Sequence, residues 1–96
     1  MGAYQVTYNE LVSTEDLPRI PRNLQYRIRK AIETRLATAP ARYGRRLSRS
    51  LLGLWRLRVG DYRVIYEIEA SLVKVWMVAH RKEAYQAITR RLGSEG

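Results

Sequence analysis

The chain contains no cysteine, which excludes disulfides, thiolate nucleophiles and cysteine metal ligands. It has a single histidine, His80, with no cluster of carboxylates around it in sequence that would complete a metal site. No metal or cofactor is therefore expected. No apolar run approaches the roughly 20 residues that span a bilayer, and the start of the chain lacks the basic-then-apolar pattern of a secretory signal. These absences point to a soluble, cytoplasmic protein that does not enter a membrane. At 96 residues the expectation is one domain covering 1–96.

Acidic residues and lysine are also scarce. Nine Asp and Glu face eighteen Lys and Arg, for a net charge of +9 and a pI near 10.5. Only Lys30, Lys74 and Lys82 are lysines; the other cations are arginines. Arginine presents a planar, two-pronged donor set that matches phosphate and stacks on bases, which an ammonium does poorly. A small basic chain rich in Arg and Tyr fits nucleic acid or an acidic protein partner. A solvated basic surface alone would give the same composition, so the placement of the arginines decides.

Residues 4–8, YQVTY, alternate and predict a first strand. STED at 13–16 has the spacing of a capping box and predicts a short helix running toward Leu17. Pro21 suits the first turn of a second helix, along which Leu24, Ile28, Ala31, Ile32 and Leu36 form one apolar stripe that ends before Pro40. A basic connector follows, 39–51, carrying Arg42, Arg45, Arg46 and Arg49. Strands are expected at 54–59, 62–68 and 72–79, and a terminal helix at about 82–92. The order βααβββα makes an α+β fold: a four-stranded, mainly antiparallel sheet with an N-terminal helical hairpin on one face and a short C-terminal helix.

The segment LWRLRVGDYRVIYEI, 54–68, places three arginines inside two strands. Gly60-Asp61 fits a two-residue hairpin loop of type II′, which sets Val59 opposite Tyr62, Arg58 opposite Arg63 and Arg56 opposite Ile65. Alternation then puts Trp55, Leu57, Val59, Tyr62, Val64 and Tyr66 on one face and Arg56, Arg58 and Arg63 on the other. Like charges directly opposite each other destabilise a sheet. A phosphate or an acidic partner would relieve that cost. Trp55, Leu57, Val64 and Tyr66 are expected to be buried against Leu24, Ile28 and Ile32. AHRKEAY, 79–85, lies where the last strand gives way to the terminal helix, so that His80, Arg81 and Tyr85 are candidates to complete one positive concavity.

LLGLWRLRVGDYRVIYEI followed by VAHRKEAY resembles the RelE superfamily of toxin–antitoxin toxins, and the likeness extends over nearly the whole chain. The resemblance implies an endoribonuclease that cleaves messenger RNA in the ribosomal A site and so stops translation. The family's site positions fall on Arg56 and Arg58 in the second strand, Arg63 in the next, Arg81 after the last strand, and Tyr85. Three positions depart from the family's pattern: Arg stands at 56 and 58 where Lys is frequent, and Ala79 stands where Gly is frequent.

The implied reaction is attack of a 2′-hydroxyl on the adjacent phosphate, leaving a 2′,3′-cyclic phosphate and a 5′-hydroxyl without a metal. Arginines would stabilise the charge that gathers on phosphate oxygens. Arginine is a poor proton acceptor, so the general base stays open. Histidine is the only side-chain type here that ordinarily titrates near neutrality, which makes His80 a secondary candidate. The basic connector residues Arg42, Arg45, Arg46 and Arg49 are expected to hold RNA or ribosome. The partners implied are an acidic antitoxin, the 70S ribosome and mRNA. Two alternatives remain: the ParE-like branch, which poisons DNA gyrase and is not a nuclease, and a nucleic-acid-binding or ribosome-binding domain without chemistry.

Overall fold

A computed structural model describes residues 3–47 and 53–95. Five strands form one sheet: β1 (Gln5–Tyr8), β2 (Arg45–Arg46), β3 (Leu54–Val59), β4 (Tyr62–Glu69) and β5 (Leu72–His80). Their order across the sheet is β1-β5-β4-β3-β2. All neighbours are antiparallel except β1 and β5, which run parallel. The α+β class holds, with one strand more than expected. The extra strand is β2, two residues inside the basic connector, with Arg45 opposite Arg56 and Arg46 opposite Trp55. Two residues carry no periodicity. The pairing comes from β3, and Leu47 N–H extends it to the Leu54 carbonyl at 3.0 Å.

The helical segment α1 consists of a π-type turn (Val12–Asp16) and a 3-10 turn (Leu17–Arg19). It starts earlier than the STED reading. Helical backbone begins at residue 10, because Asn9 Oδ1 accepts the Leu11 N–H at 2.9 Å and acts as the cap. Asp16 is thereby freed for a buried role described below. Helix α2 (Arg22–Ala31, continuing through Ile32–Leu36) follows Pro21, as the stripe predicts. A short α3 (Pro40–Tyr43) precedes β2. Helix α4 (Ala84–Glu95) closes the chain.

The hairpin α1–α2 covers one face of the sheet. Ile28, Ile32 and Leu36 are buried against Leu57, Val64, Tyr66, Val73 and Val75. Full burial of each such aliphatic side chain contributes about 1.5–3 kcal/mol. Leu24 and Trp55 join this layer half-buried, so Trp55 is less deeply buried than expected. Trp55 sits at the border of the sheet, where the Arg46 guanidinium lies 5.3 Å from its ring centroid. Tyr66 is fully buried, and its hydroxyl donates to the Pro40 carbonyl at 2.7 Å. Gly44 lies so close that a Cβ there would overlap the Tyr66 hydroxyl. This contact fixes the connector, and with it β2, against the sheet.

The opposite face carries α4. Ile88 and Ala84 are buried over Leu47, Leu54, Ile65 and Met77. The helix covers half of this face and leaves the arginine half open. Among the described residues no helix is long and apolar enough to cross a membrane.

Candidate active site

Three arginine positions follow from the β3–β4 register. Gly60 adopts φ +60°, the left-handed conformation that a tight hairpin loop requires and glycine supplies cheaply. The observed pairs are Val59 with Tyr62, Arg58 with Arg63 and Arg56 with Ile65, as the turn predicts. Arg45 lies opposite Arg56, so the connector adds a fourth arginine to this face. On the other side β5 contributes Ala79 opposite Arg63 and Met77 opposite Ile65.

Arg81 is tied to the same hairpin loop. Its N–H donates to the Asp61 carbonyl at 2.8 Å, and its Nε lies 3.9 Å from Asp61 Oδ1. Both side chains are exposed, so this ion pair is weak, and the Arg81 guanidinium stays available. Tyr85 stands on the first turn of α4, half-exposed beside the buried anchor Ala84. A cleft of about 340 Å³ forms between these elements, lined by Leu47, Arg56, Arg63, Ile65, Arg81, Lys82, Ala84, Tyr85 and Ile88. Its floor is apolar and its rim is cationic, an arrangement that can stack a base and hold a phosphate at the same time.

Arg63 is the most constrained of the cleft's cations. Its Nη1 donates to the Gly60 carbonyl at 3.1 Å and to the Tyr62 carbonyl at 2.9 Å. Burial holds its pKa below the ordinary arginine value, and the charges of Arg58, Arg56 and Arg81 lower it further, against a small opposing effect of Asp61. The group is aimed before any ligand arrives, which is the property that makes donors effective toward developing charge.

Four of the expected site residues thus line one cleft: Arg56, Arg63, Arg81 and Tyr85. Arg58 shares their sheet face, but β2 covers only residues 55 and 56 of β3. Arg58 is exposed and lines a neighbouring groove of about 320 Å³ with Tyr26, Arg27, Lys30, Thr34 and Arg35 of α2. Arg42, Arg45 and Arg46 are exposed around α3 and β2; Arg49 lies outside the described residues.

His80 is not brought into the cleft. It pairs with Tyr62 in the ladder, and the two rings meet edge to face with centroids 5.6 Å apart. Its Nδ1 accepts the Lys82 N–H at 3.2 Å. It lines a separate cavity of about 640 Å³ together with Glu15, Arg19, Tyr62 and Glu83. The reason is a β-bulge between the Ile65 and Tyr66 pairings: Tyr66 faces Val75 but Ile65 faces Met77, so Trp76 is an extra residue. One extra residue transfers every later side chain to the other face. Without it, His80 would share the arginine face.

The sequence reading missed the apolar floor. Ile65 carries a usable signal, since it alternates with Arg63 on an otherwise basic stripe, and Ile88 lies three residues past Tyr85 on the helix. Leu47 has no such signal. Also missed was the ion pair between Asp16 and Arg91, both buried, at 2.8 Å; its partners are 75 residues apart.

Over residues 12–85 the chain matches the family described as ParE toxin of type II toxin–antitoxin system, parDE. No curated protein sequence matches it. Among solved structures it is similar to a chain of the RelBE2 toxin–antitoxin complex of Mycobacterium tuberculosis, with 28% identity and a TM-score of 0.76, covering 82% of this chain and 99% of that one. A RelB–RelE antitoxin–toxin complex from Methanococcus jannaschii gives 22% identity and a TM-score of 0.66, covering 84% of this chain and 96% of that one. A mutant of the Escherichia coli toxin RelE in the free state shares the fold, with 14% identity, a TM-score of 0.70 and 98% of both chains covered. The chain belongs to the ParE toxin family, within the RelE/ParE superfamily of toxins of type II toxin–antitoxin modules.

Proposed function

We propose that this toxin is a ribosome-dependent, metal-independent endoribonuclease that cuts messenger RNA in the ribosomal A site. The observation that supports this reading is the convergence of Arg56, Arg63, Arg81 and Tyr85, from β3, β4, the end of β5 and α4, on one apolar-floored cleft. A bound message would place its scissile phosphate among the three guanidiniums and a neighbouring base on Tyr85. The 2′-oxygen then bonds to phosphorus, the bond to the 5′-oxygen breaks, and the products are a 2′,3′-cyclic phosphate and a 5′-hydroxyl. Charge on the phosphate oxygens is met by donors already in place, each worth on the order of 100-fold or more in rate. Within this proposal no imidazole serves the cleft, since His80 lies on the other face, and the ribosome orders the substrate and assists proton transfer.

The exposed cations outside the cleft fit the same reading. Arg42, Arg45 and Arg46, with Arg27, Lys30, Arg35 and Arg58 along the α2 groove, offer phosphate contacts that would dock the toxin on ribosomal RNA. Relatives are complexed with antitoxins, RelB among them. A disordered acidic antitoxin that folds on binding would complement the +9 charge of this chain. Action on ribosomes places the protein in the cytoplasm.

A second reading, inhibition of DNA gyrase, has the family match over residues 12–85 in its favour. The purified toxin and its Arg63→Ala and Arg81→Ala variants, assayed on programmed ribosomes and on gyrase supercoiling, separate the two. The nuclease reading predicts cut message that either substitution abolishes and gyrase left untouched. Intact message with inhibited gyrase would reverse the choice.

A further inference from the structure

The sequence between Val75 and Arg81 has to present Arg81 to the cleft and turn His80 away. The bulge at Trp76 accomplishes this, and a bulge leaves backbone groups without ladder partners. At the bulge and on the β5 edge just beyond it, two backbone groups are satisfied by a single ion pair. Arg91 Nη1 donates to the Trp76 carbonyl at 3.0 Å, and Asp16 Oδ2 accepts the Val78 N–H at 2.9 Å. The carboxylate and guanidinium meet through two bonds, Nη1 to Oδ2 at 2.8 Å and Nη2 to Oδ1 at 2.9 Å. The pair lies where β1 no longer covers β5, since β1 pairs only with residues 72–75. Among the described residues no polar side-chain atom is left buried without a partner.

Arg91 occupies an unusual place on α4. It is seven residues beyond Ala84, two helical turns, and so falls on the same inward stripe. An apolar side chain would bury as well there and, as a rule, stabilise as much or more. What an apolar side chain lacks is direction. A planar fork bonded to a carboxylate and a carbonyl admits one orientation of the helix, whereas α4 otherwise rests on Ile88, the small Ala84 and partly buried Ala87 and Leu92.

We propose that Asp16 and Arg91 are positioning residues of the cleft: their ion pair locks the Trp76 bulge and the roll of α4, and so aims Arg81 and Tyr85 at the substrate. The part that concerns turnover rests on the nuclease reading; the part that concerns the bulge does not. The test is the double variant Asp16→Asn/Arg91→Met, which removes both charges of the pair together and retains an acceptor for Val78. Three quantities are compared with the parent: amide exchange at Val78, the fluorine resonance of 3-fluorotyrosine at Tyr85 (assigned through Tyr85→Phe), and kcat on programmed ribosomes with and without Arg81→Ala.

The expected result is faster exchange at Val78 by at least 10-fold, a shifted or broadened Tyr85 signal, and kcat lower by at least 10-fold with little change in KM. Arg81→Ala then costs far less in the double variant than in the parent, because a misaimed side chain has little left to lose. If the double variant does not fold, Arg91→Lys, which keeps the charge but not the fork, is expected to show the same changes at smaller size. Unchanged exchange and an unchanged Tyr85 signal overturn the proposal. So does an Arg81→Ala loss that is equal in both backgrounds. A parent that cuts no message refutes the nuclease reading while the exchange and fluorine measurements still decide the role of the pair.

Discussion

Replacing Arg63 by glutamine should make the protein more stable and much less active. Arg63 stands directly opposite Arg58 in the β3–β4 ladder, and its charge is disfavoured first by burial and then by Arg58, Arg56 and Arg81. Because the folded state lowers the pKa of a base, the fold bears the cost wherever the guanidinium is charged, which includes neutral pH. A like-charged cross-strand pair costs about 0.2–1 kcal/mol, and the other two arginines add to it. Against this, the variant gives up the hydrogen bonds to the Gly60 and Tyr62 carbonyls, which sit at a loop that water can reach. The net gain should be about 0.5 kcal/mol. For a domain of this size that is a rise in Tm of about 2–4 °C. The gain should shrink as the Debye length falls from about 10 Å at 0.1 M salt to about 3 Å at 1 M. Thermal unfolding at several salt concentrations measures this, and message cleavage should fall on the order of 100-fold. A variant less stable than the parent at low salt, or a difference indifferent to salt, would refute the view that the arginine cluster is held at a cost to the fold.

Tyr66→Phe should cost about 1–3 kcal/mol, because the Pro40 carbonyl loses its buried donor. Burial raises the Tyr66 pKa above its ordinary 10.0, so the phenol stays neutral in the fold while it ionises in the unfolded chain. Its stabilising effect is complete below pH 10 and is lost as pH rises further. Denaturant melts between pH 8 and 11 should therefore show a flatter alkaline decline in the Phe variant. The triple variant Arg27→Ala/Lys30→Ala/Arg35→Ala should bind ribosomes more weakly, with a salt dependence reduced by about 0.7–0.9 for each phosphate contact removed. An unchanged slope in a binding titration would take the α2 groove out of the interface.

The parts of this structure governed by short-range pattern can be read from the chain. The Gly60-Asp61 loop fixes the β3–β4 register, and the register fixes the common face of Arg56, Arg58 and Arg63. The stripe from Leu24 to Leu36 gives the helix and its buried side. What depends on distant partners cannot be read in this way. Arg45–Arg46 becomes a strand only because β3 offers an edge. The bulge at Trp76 has no local signature; it is sustained by Asp16 and Arg91 from opposite ends of the chain, and it alone moves His80 off the arginine face. STED looks like a cap, but Asn9 caps first, and Asp16 serves the bulge. Trp55 takes the expected face but not the expected depth, because its neighbour strand is only two residues long and leaves it at the border of the sheet.

In the proposed function the cleft supplies charge and positioning while the ribosome supplies the ordered substrate. This division is tested most directly by giving the purified toxin one unstructured RNA in two states at physiological salt: free, and loaded on a ribosome whose A site is empty. Rapid cutting on the ribosome, with 2′,3′-cyclic phosphate ends, and little cutting of the free RNA at matched concentration are expected. Equal cutting of the free RNA, or none in either state, would contradict this division.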